Sequence, residues 1–332
     1  MSEYTNPAEY AAPARTPDGR TKLVIGTRGS KLALWQSEYV ASLITERTGL
    51  PVELQIIKTT GDKITDVPLA KVGGKGLFTK ELEVALLAGE VDLCVHSMKD
   101  VPTELPVGCV LAGMPARVDS RDVLVSFEGH DLVTLPQGGR VGTSSLRRIA
   151  QVRALRPDVE IVDVRGNLDT RMRKAETGEV DLVILAAAGI KRLGWGDRIS
   201  SFIPTEQMVS AVGQGAIGIE IRDDDAFMAE LCEALSDPET LACVGAERVV
   251  MNRLDGGCQV PIGAYARIEG DQMVLDAMVG SVDGTTILRT TERGSADDPV
   301  ALGMRAVSSL RDAGAVDILQ AIRSATSAGD LV

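Results

Sequence analysis

The sequence has few aromatic residues and no excess of positive charge. Aromatic residues make up 3% of the 332 residues, which argues against a surface that stacks the bases of single-stranded nucleic acid. The formal net charge of −12 argues against binding to a phosphate backbone, because such binding requires a basic face. Nucleic acid is therefore not the expected partner.

Metal ligands, cysteine pairs and long apolar runs are also scarce. The five cysteines form no C-x-x-C pair, and only His96 and His130 could add imidazole ligands, so no metal site or disulfide framework is predicted. No uncharged apolar stretch is long enough to cross a bilayer. Residues 1–20 lack the apolar core of a signal peptide and are expected to form a disordered tail. We therefore expect a cytoplasmic protein without a membrane partner.

What is present predicts an α/β protein built from two similar lobes. A strand predicted over 21–27 leads into a loop and a helix over 31–47, and the same order returns after Arg140. The string Gly-Glu-Val-Asp-Leu precedes a predicted strand at 89–93 and again at 178–182. Two α/β lobes enclose a cleft, and ligands bind such sheets at the carboxyl ends of their strands.

The pattern of predicted helices and strands changes after Pro238, which predicts a smaller third domain of the α+β type. A helix over 239–253 is followed by short strands around Ala264, Met273 and Ile287 and by two further helices. We predict domain 1 over 21–115 and 216–235, domain 2 over 116–215, and domain 3 over 236–332.

Several loops that follow predicted strands carry arginine or hydroxyl side chains at the start of a helix. The free N–H groups and the dipole of a helix N-terminus favour an anion, although one such loop alone is more often ordinary helix capping. Arginine binds carboxylates through paired donors, so several such loops around one cleft predict a ligand with many acid groups. The loops are Arg28-Gly29-Ser30, Thr143-Ser144-Ser145-Leu146-Arg147-Arg148, and Arg165-Gly166-Asn167 through Arg171.

The segment His96-Ser97-Met98-Lys99-Asp100 follows a predicted strand directly and places a cation beside a carboxylate. The neighbouring lysine favours an ionised Asp100, which is suited to stabilise a developing cation or to accept N–H groups. His96 is interpreted as a structural histidine rather than a base.

Two glycine-rich strings resemble nucleotide motifs but fail the tests of those motifs. Gly73-Gly74-Lys75-Gly76 lacks the glycine and the hydroxyl residue of a P-loop, so we predict a mobile loop with Lys71 and Lys75 near the cleft. The string 213–218 matches G-x-G-x-x-G, but isoleucines then alternate as in a strand, whereas the dinucleotide fingerprint opens a helix.

Taken together, these strings resemble the porphobilinogen deaminase (hydroxymethylbilane synthase) family of tetrapyrrole biosynthesis. The resemblance runs from about Lys22 to Pro261. It rests on Gly26 to Gln36, Lys71 to Phe78, His96 to Pro102, Thr143 to Arg148, Arg165-Gly166-Asn167, Gly213-Gln214-Gly215 and Gly257-Cys258-Gln259-Val260-Pro261.

The resemblance implies a transferase that polymerises four porphobilinogen molecules, with loss of ammonia, and releases linear hydroxymethylbilane with water. The chain is built on a dipyrromethane cofactor held by a thioether to Cys258, a cysteine that composition alone favours as an inert small hydrophobe. The family's fold has two lobes like those of periplasmic binding proteins and a third domain that carries this cysteine. A monomer is expected.

The resemblance also assigns roles to single residues. Asp100 is the expected catalytic residue, which contacts pyrrole N–H groups and stabilises the cationic intermediates. Expected cofactor-binding residues are Lys99, Asp100, Thr143, Ser144, Ser145, Arg147, Arg148 and Gly166. Expected substrate-binding residues are Arg28, Ser30, Ser97, Arg165, Arg171 and Arg192.

Two other classes of protein are considered as alternatives. A two-lobed solute-binding module would grip an anion without chemistry, but it would leave Asp100 and the cysteine loop unexplained, and such modules are usually exported. A nucleotide-dependent oxidoreductase rests on the 213–218 string alone, and binding of NAD would revive it.

Overall fold

The computed structural model describes residues 16–63, 76–254 and 260–328 of the chain. Within these ranges the strands form two five-stranded mixed sheets and one three-stranded antiparallel sheet. The predicted α/β class with a smaller α+β part is confirmed.

The first sheet joins four strands from the N-terminal region with one that returns much later in the chain. Its strands are β1 (Leu23–Thr27), β2 (Val52–Ile56), β3 (Leu93–Ser97), β4 (Cys109–Gly113) and β10 (Ile217–Arg222). Their order is β2-β1-β3-β10-β4, with β10 antiparallel to both of its neighbours. The helices of this lobe are α1 (Lys31–Thr48), the short α2 (Thr60–Lys63) and α3 (Lys80–Leu87).

The second sheet repeats this plan. Its strands are β5 (Asp122–Val125), β6 (Arg140–Gly142), β7 (Glu160–Val162), β8 (Leu182–Ala186) and β9 (Ser201–Phe202), and its helices are α4 (Leu146–Leu155), α5 (Leu168–Glu176) and α6 (Ala187–Arg192). The order β7-β6-β8-β5-β9 is equivalent to that of the first sheet, and β5 is likewise antiparallel to its neighbours.

The aspartate of the repeated Gly-Glu-Val-Asp-Leu string accepts an equivalent backbone hydrogen bond in both lobes. The carboxylate of Asp92 accepts the backbone N–H of Val24 at 2.7 Å, and that of Asp181 accepts the backbone N–H of Arg140 at 2.6 Å. Each aspartate thereby ties the central strand that follows it, β3 or β8, to the start of the neighbouring parallel strand, β1 or β6. The prediction of two similar lobes is confirmed.

The third sheet lies in the C-terminal region and packs on helices. It comprises β11 (Ile262–Glu269), β12 (Gln272–Gly280) and β13 (Ile287–Gly294). The helices of this part are α8 (Pro238–Arg253), α9 (Pro299–Asp312) and α10 (Ala315–Ala328), whereas α7 (Ala226–Ala234) packs on the first sheet. Buried side chains such as Val250, Leu275 and Leu302 form one apolar core between this sheet and its helices. The domain boundaries given above remain predictions.

The glycine string at 213–218 forms a turn and then a strand. Gly213 and Gly215 have φ values of 68° and 93°, a left-handed conformation that glycine adopts without strain. A Cβ at Gly215 would lie 2.5 Å from the backbone oxygen of Val118, so the two segments that join the lobes pass close together here. Strand β10 follows the turn, which confirms that the string is not a dinucleotide fingerprint.

Candidate active site

A cavity lies at the carboxyl ends of β1 and β3 and brings together four residues that the sequence predicts for the site, Arg28, Ser30, Ser97 and Asp100. Its other lining residues are Leu32, Ala33, Gln36, Phe78, Thr79, Val95 and His96. Ser30 also caps α1, because its hydroxyl oxygen accepts the backbone N–H of Ala33 at 3.2 Å. The helix N-terminus predicted beside the first arginine loop is thus present.

Arg28 is held by one carboxylate and one aromatic ring. Its guanidinium donates to Asp62 at 2.5 Å and lies 4.1 Å from the centre of the Phe78 ring. Burial by itself would raise the pKa of Asp62, but the bonds from Arg28 and Thr59 hold that pKa below its usual value. Asp62 and Phe78 therefore hold the guanidinium of Arg28 at the cavity.

Asp100 ends a single 3-10 turn, Met98–Asp100, that directly follows β3. Its side chain is half-buried, and no described residue forms a hydrogen bond or an ion pair with its carboxylate. Asp62, by contrast, is bound by Arg28. Within the described part of the chain, Asp100 therefore keeps its acceptor capacity for a ligand.

Cations of the second lobe lie close enough to the Lys99-Asp100 step to change its electrostatics. Burial is the main cause that lowers the pKa of Lys99 to about 8, and the charges of Arg148 and Arg171 lower it further against the opposing charge of Asp100. The pKa of Arg171 falls to about 10, first through burial and then through the charge of Arg148. The structure thus gathers positive charge from both lobes around one carboxylate.

Arg147 and Arg148 are buried at the start of α4 and share one carboxylate, that of Asp122. The three distances are 2.7 Å from Arg147 Nη1, 2.7 Å from Arg148 Nη2 and 3.1 Å from Arg148 Nε. Asp122 is fully buried and also accepts the side-chain amide of Gln214 at 3.0 Å. Burial would raise the pKa of Asp122, but the two guanidinium groups hold it well below its usual value.

The hydroxyl residues before α4 shape the loop that carries these arginines. Ser144 donates to the backbone oxygen of Val164 at 2.5 Å, and the hydroxyl of Thr143 accepts the backbone N–H of Ser145 at 3.2 Å. Ser145 precedes the helix, but its side chain does not cap it. One bond therefore lies within the loop, and the other joins the loop to the segment after β7.

The third arginine loop is closed by a glycine. Gly166 has a φ of 95°, and a Cβ at this position would lie 2.9 Å from Thr170. Arg171 donates to the backbone oxygen of Gly166 at 3.0 Å, while Arg165 donates to Asp163 at 2.7 Å. The backbone oxygen of Gly166 therefore binds Arg171, and its left-handed conformation is one that glycine adopts without strain.

Arg192 lies between the lobes. It donates to the backbone oxygen of Gly215 at 2.8 Å, and its guanidinium lies 5.7 Å from the centre of the Trp35 ring on α1. Burial lowers the pKa of Arg192 to about 10. It therefore contacts both the turn that joins the lobes and the first helix.

Three residues predicted for the site, Cys258, Lys71 and Lys75, lie outside the described residues. The four described cysteines, Cys94, Cys109, Cys232 and Cys243, form no disulfide with one another. No group of three or more potential metal ligands occurs among the described residues. No helix in the described ranges is long and apolar enough to cross a membrane.

Sequence reasoning missed several residues of the site, namely Gln36, Asp62, Phe78, Thr79 and Asp122. Gln36 and Phe78 stand within the strings that carry the family resemblance, and this position was the available signal. Asp62 and Asp122 gave no local signal, since each takes its role from an arginine 34 or 25 residues away along the chain.

Comparison with known proteins agrees with this geometry. The model of the porphobilinogen deaminase dipyromethane cofactor binding domain matches residues 23–230, and that of the porphobilinogen deaminase C-terminal domain matches residues 241–312. A porphobilinogen deaminase from Syntrophobacter fumaroxidans is 52% identical over 299 residues, which cover 90% of this chain and 97% of that protein. One from Moorella thermoacetica is 50% identical over 304 residues, which cover 91% and 97%.

A more distant likeness is to a solved structure, the methionine-binding protein MetQ. It has 14% sequence identity and a TM-score of 0.43 and covers 64% of this chain and 89% of that chain. The family models and the curated relatives together show that this chain belongs to the porphobilinogen deaminase family.

Proposed function

We propose that this chain is a transferase that joins four porphobilinogen molecules head to tail, with loss of ammonia, on a covalently bound dipyrromethane. Hydrolysis then releases the linear tetrapyrrole hydroxymethylbilane. Family membership supports this function. The observation that carries it in the structure is the position of Asp100, without a described partner, at a cavity that Arg28 lines, with Arg171 of the second lobe close enough to interact with its charge.

The described residues fit a cofactor that carries several carboxylates. The Nε atoms of Arg147 and Arg192 are buried without a hydrogen-bond partner in the structure. Buried donors without partners cost free energy that an anionic ligand recovers. When bound, the dipyrromethane supplies the terminal pyrrole to which each new unit is joined.

Family membership suggests the residue roles that we propose. For the cofactor we propose attachment at Cys258 and binding by Lys99, Asp100, Thr143, Ser144, Ser145, Arg147, Arg148 and Gly166. For the acetate and propionate groups of the substrate we propose Arg28, Ser30, Ser97, Arg165, Arg171 and Arg192, with Lys71 and Lys75 on a mobile loop near the cleft. Each pyrrole unit carries two carboxylates, which accounts for the number of guanidinium groups.

Asp100 provides the electrostatic part of catalysis. Its carboxylate accepts the pyrrole N–H of porphobilinogen and stabilises the positive charge that spreads over the ring while ammonia leaves. A fixed carboxylate in a site with little water stabilises such a charge more strongly than water does. The surrounding arginines bind the carboxylates of the substrate and so orient its methylene carbon toward the acceptor carbon.

A direct assay tests the proposed function. The purified chain is incubated with porphobilinogen, and mass spectrometry follows the linear tetrapyrrole while an enzymatic assay counts released ammonia. Four ammonia molecules for each tetrapyrrole are expected. Release of tetrapyrrole without ammonia, or binding of porphobilinogen without any product, would contradict the proposal and favour an anion-binding module.

Intact-mass measurement tests the covalent cofactor separately. Chain made in cells that supply porphobilinogen should carry excess mass equal to two pyrrole units, and Cys258→Ser should lack it. A variant Cys243→Ser is the matched control, because Cys243 is a buried cysteine on α8 and should keep the excess mass. If the excess mass persisted in Cys258→Ser, the cofactor would be attached to a residue other than Cys258.

We further propose that the enzyme acts as a monomer in the cytoplasm and does not bind nucleic acid. The net charge of −12 supports the last point, since it disfavours contact with phosphate backbones. Sedimentation equilibrium over a range of protein concentrations tests the monomer, and a mass that rises to that of a dimer would overturn it.

A further inference from the structure

Three ionisable side chains that the proposed mechanism does not use are buried together between α3 and the first sheet. His96 is 5% exposed, Glu220 is fully buried and Glu83 is 7% exposed. The ring nitrogen Nε2 of His96 lies 2.7 Å from Oε2 of Glu220, a residue 124 positions away along the chain. Charged groups in a sheet core are costly, so a group of three here calls for a function.

The strand register explains how these residues meet. His96 on β3 lies opposite Gly218 on β10, and Glu220 lies opposite Cys94. Residues that face each other in an antiparallel pair share one side of the sheet, so His96 and Glu220 lie on the same side. Helix α3, which carries Glu83, covers that side, because Leu82 packs close to Cys94 and Gly26 there.

His96 also borders the candidate active site. His96 is one of the residues that line the same cavity as Asp100 and Arg28, whereas Glu220 is fully buried in the core. The 2.7 Å distance is typical of a charge-assisted bond, in which the ring Nε2–H donates to the carboxylate. With Nε2–H as the donor, Nδ1 is the ring nitrogen that carries the lone pair. A histidine oriented in this way by a buried carboxylate is the usual form of a general base.

Burial disfavours the charged forms of the acidic groups around the pair, Glu83 and Cys109. Burial is the main cause that raises the pKa of Glu83, and the charge of Glu220 raises it further. Burial and the charge of Glu220 also raise the pKa of the Cys109 thiol to about 12. The ionisable groups around the pair are Glu81 and Glu83 on α3, Cys94 on β3, Cys109 on β4 and Arg222 on β10.

We propose that His96 is a catalytic residue that accepts the proton lost from the attacked pyrrole carbon, and that Glu220 is the positioning residue that holds its ring. This inference rests on the proposed function. When the new carbon–carbon bond forms, the C–H bond at the pyrrole α-carbon breaks and its electron pair returns to the ring. The proton moves to Nδ1 of His96 and then to the released ammonia, which leaves as ammonium. The step needs no oxidant or further reactant.

A kinetic isotope effect tests the catalytic role of His96. Porphobilinogen that carries deuterium at its free α-carbon is compared with the ordinary substrate in the wild type, in His96→Gln and in His130→Gln. For His96→Gln we expect a fall in kcat of about 100-fold or more, as for loss of a general base, together with an isotope effect on kcat larger than in the wild type. The control His130→Gln should match the wild type, because His130 pairs with exposed Glu128 in the other lobe.

Two outcomes of this assay would overturn the proposal. Unchanged turnover in His96→Gln is one. A fall in turnover without a larger isotope effect is the other, because it would mean that His96 supports the structure rather than the proton transfer.

Nitrogen NMR of the histidine ring tests the pairing with Glu220 without any activity. The chain has only two histidines, so His130→Gln leaves His96 as a single signal. We expect Nε2 to carry the proton at neutral pH, and we expect Glu220→Gln to change the shifts of both ring nitrogens. A ring protonated at Nδ1, or shifts unaffected by Glu220→Gln, would overturn the positioning role.

The two experiments separate this inference from the proposed function. A wild type that forms no tetrapyrrole would defeat the proposed function, and the catalytic role of His96 with it, while the NMR result would still decide the pairing. A wild type that forms tetrapyrrole, with no isotope response in His96→Gln, would defeat the role of His96 alone.

Discussion

The ion pairs of the proposed site arginines are buried to different extents in the two lobes, although the two sheets have equivalent strand orders. In the first lobe, Arg28 pairs with Asp62, and their side chains are 23% and 27% exposed. In the second lobe, Arg147 and Arg148 share Asp122, and the side-chain exposures are 4%, 5% and 0%. Lobes of equivalent fold therefore hold their proposed site arginines in two ways, in a partly exposed pair and in a buried triad.

The difference indicates a division of labour. A partly exposed pair contributes little stability and exchanges easily, which suits the proposed role of Arg28 in binding and releasing a substrate carboxylate at each step. Removing one partner from a buried group leaves uncompensated charge and is strongly destabilising. The second lobe is accordingly suited to hold one fixed ligand, and the first lobe to handle a series of changing ones.

The largest expected effect comes from breaking the buried triad. Asp122→Asn would leave two guanidinium charges without their carboxylate, and the free energy of unfolding should fall by about 3–5 kcal/mol. Urea denaturation measures this change. A loss below about 1 kcal/mol, the range of exposed pairs, would remove the contrast between the lobes.

Acid should act on the same triad. The folded-state pKa of Asp122 lies below its ordinary value of 3.8, so its contribution to stability is present above that pH and is lost as the pH falls further. In Asp122→Asn this part of the acid dependence should be absent. Parallel acid unfolding curves for both chains would contradict the assignment.

Asp100→Asn separates chemistry from stability. We expect turnover of porphobilinogen to fall by about 100- to 1000-fold, because a group aimed at developing charge is lost. The free energy of unfolding should stay near that of the wild type, since no described residue is bonded to this carboxylate. A variant that keeps its turnover would remove Asp100 from the catalytic role.

A smaller effect is expected from Lys99, whose lowered pKa should make the free energy of unfolding depend on pH. Its pKa is about 8 in the folded chain and 10.5 as the ordinary value, so between these pH values the unfolded chain binds more protons. In the chain without cofactor, Cys258→Ser, stability from Lys99 should therefore rise with pH through this window. The difference in unfolding free energy between Cys258→Ser and the double variant with Lys99→Met measures it. A constant difference would contradict the lowered pKa.

The smallest expected effect comes from the surface pair. Asp62→Asn should change the free energy of unfolding by about 1 kcal/mol or less, because the pair is partly exposed. The same urea titration measures it, and Asp122→Asn serves as the reference. A loss as large as that of Asp122→Asn would show that both lobes hold their arginines in the same way.

Much of the fold was predictable because its signals are local. The helix predicted over 31–47 is observed at Lys31–Thr48, where Ser30 caps its start and Gly49, with φ 69°, ends it. The helix predicted over 239–253 is observed at Pro238–Arg253. Periodicity, caps and glycine stops all act within a few residues, so the sequence displays them directly.

The partners of charged residues were not predictable in this way. His96 was interpreted as a structural histidine rather than a base, and nothing near it in sequence indicates that it lies beside Glu220, 124 residues away. Asp122 likewise stands at the start of a strand with no sign of the two arginines that it binds. Each of these roles depends on residues that are distant in sequence.

By itself the sequence determined the α/β class, the repeated lobe plan, the arginine loops at strand ends and the family. Only the tertiary structure decided which of those arginines are buried with a counter-ion, which lies at the surface, and which histidine has a carboxylate behind it. The physical reason is that secondary structure follows from contacts over a few residues, whereas the charge state and orientation of a buried group follow from whatever the fold packs against it.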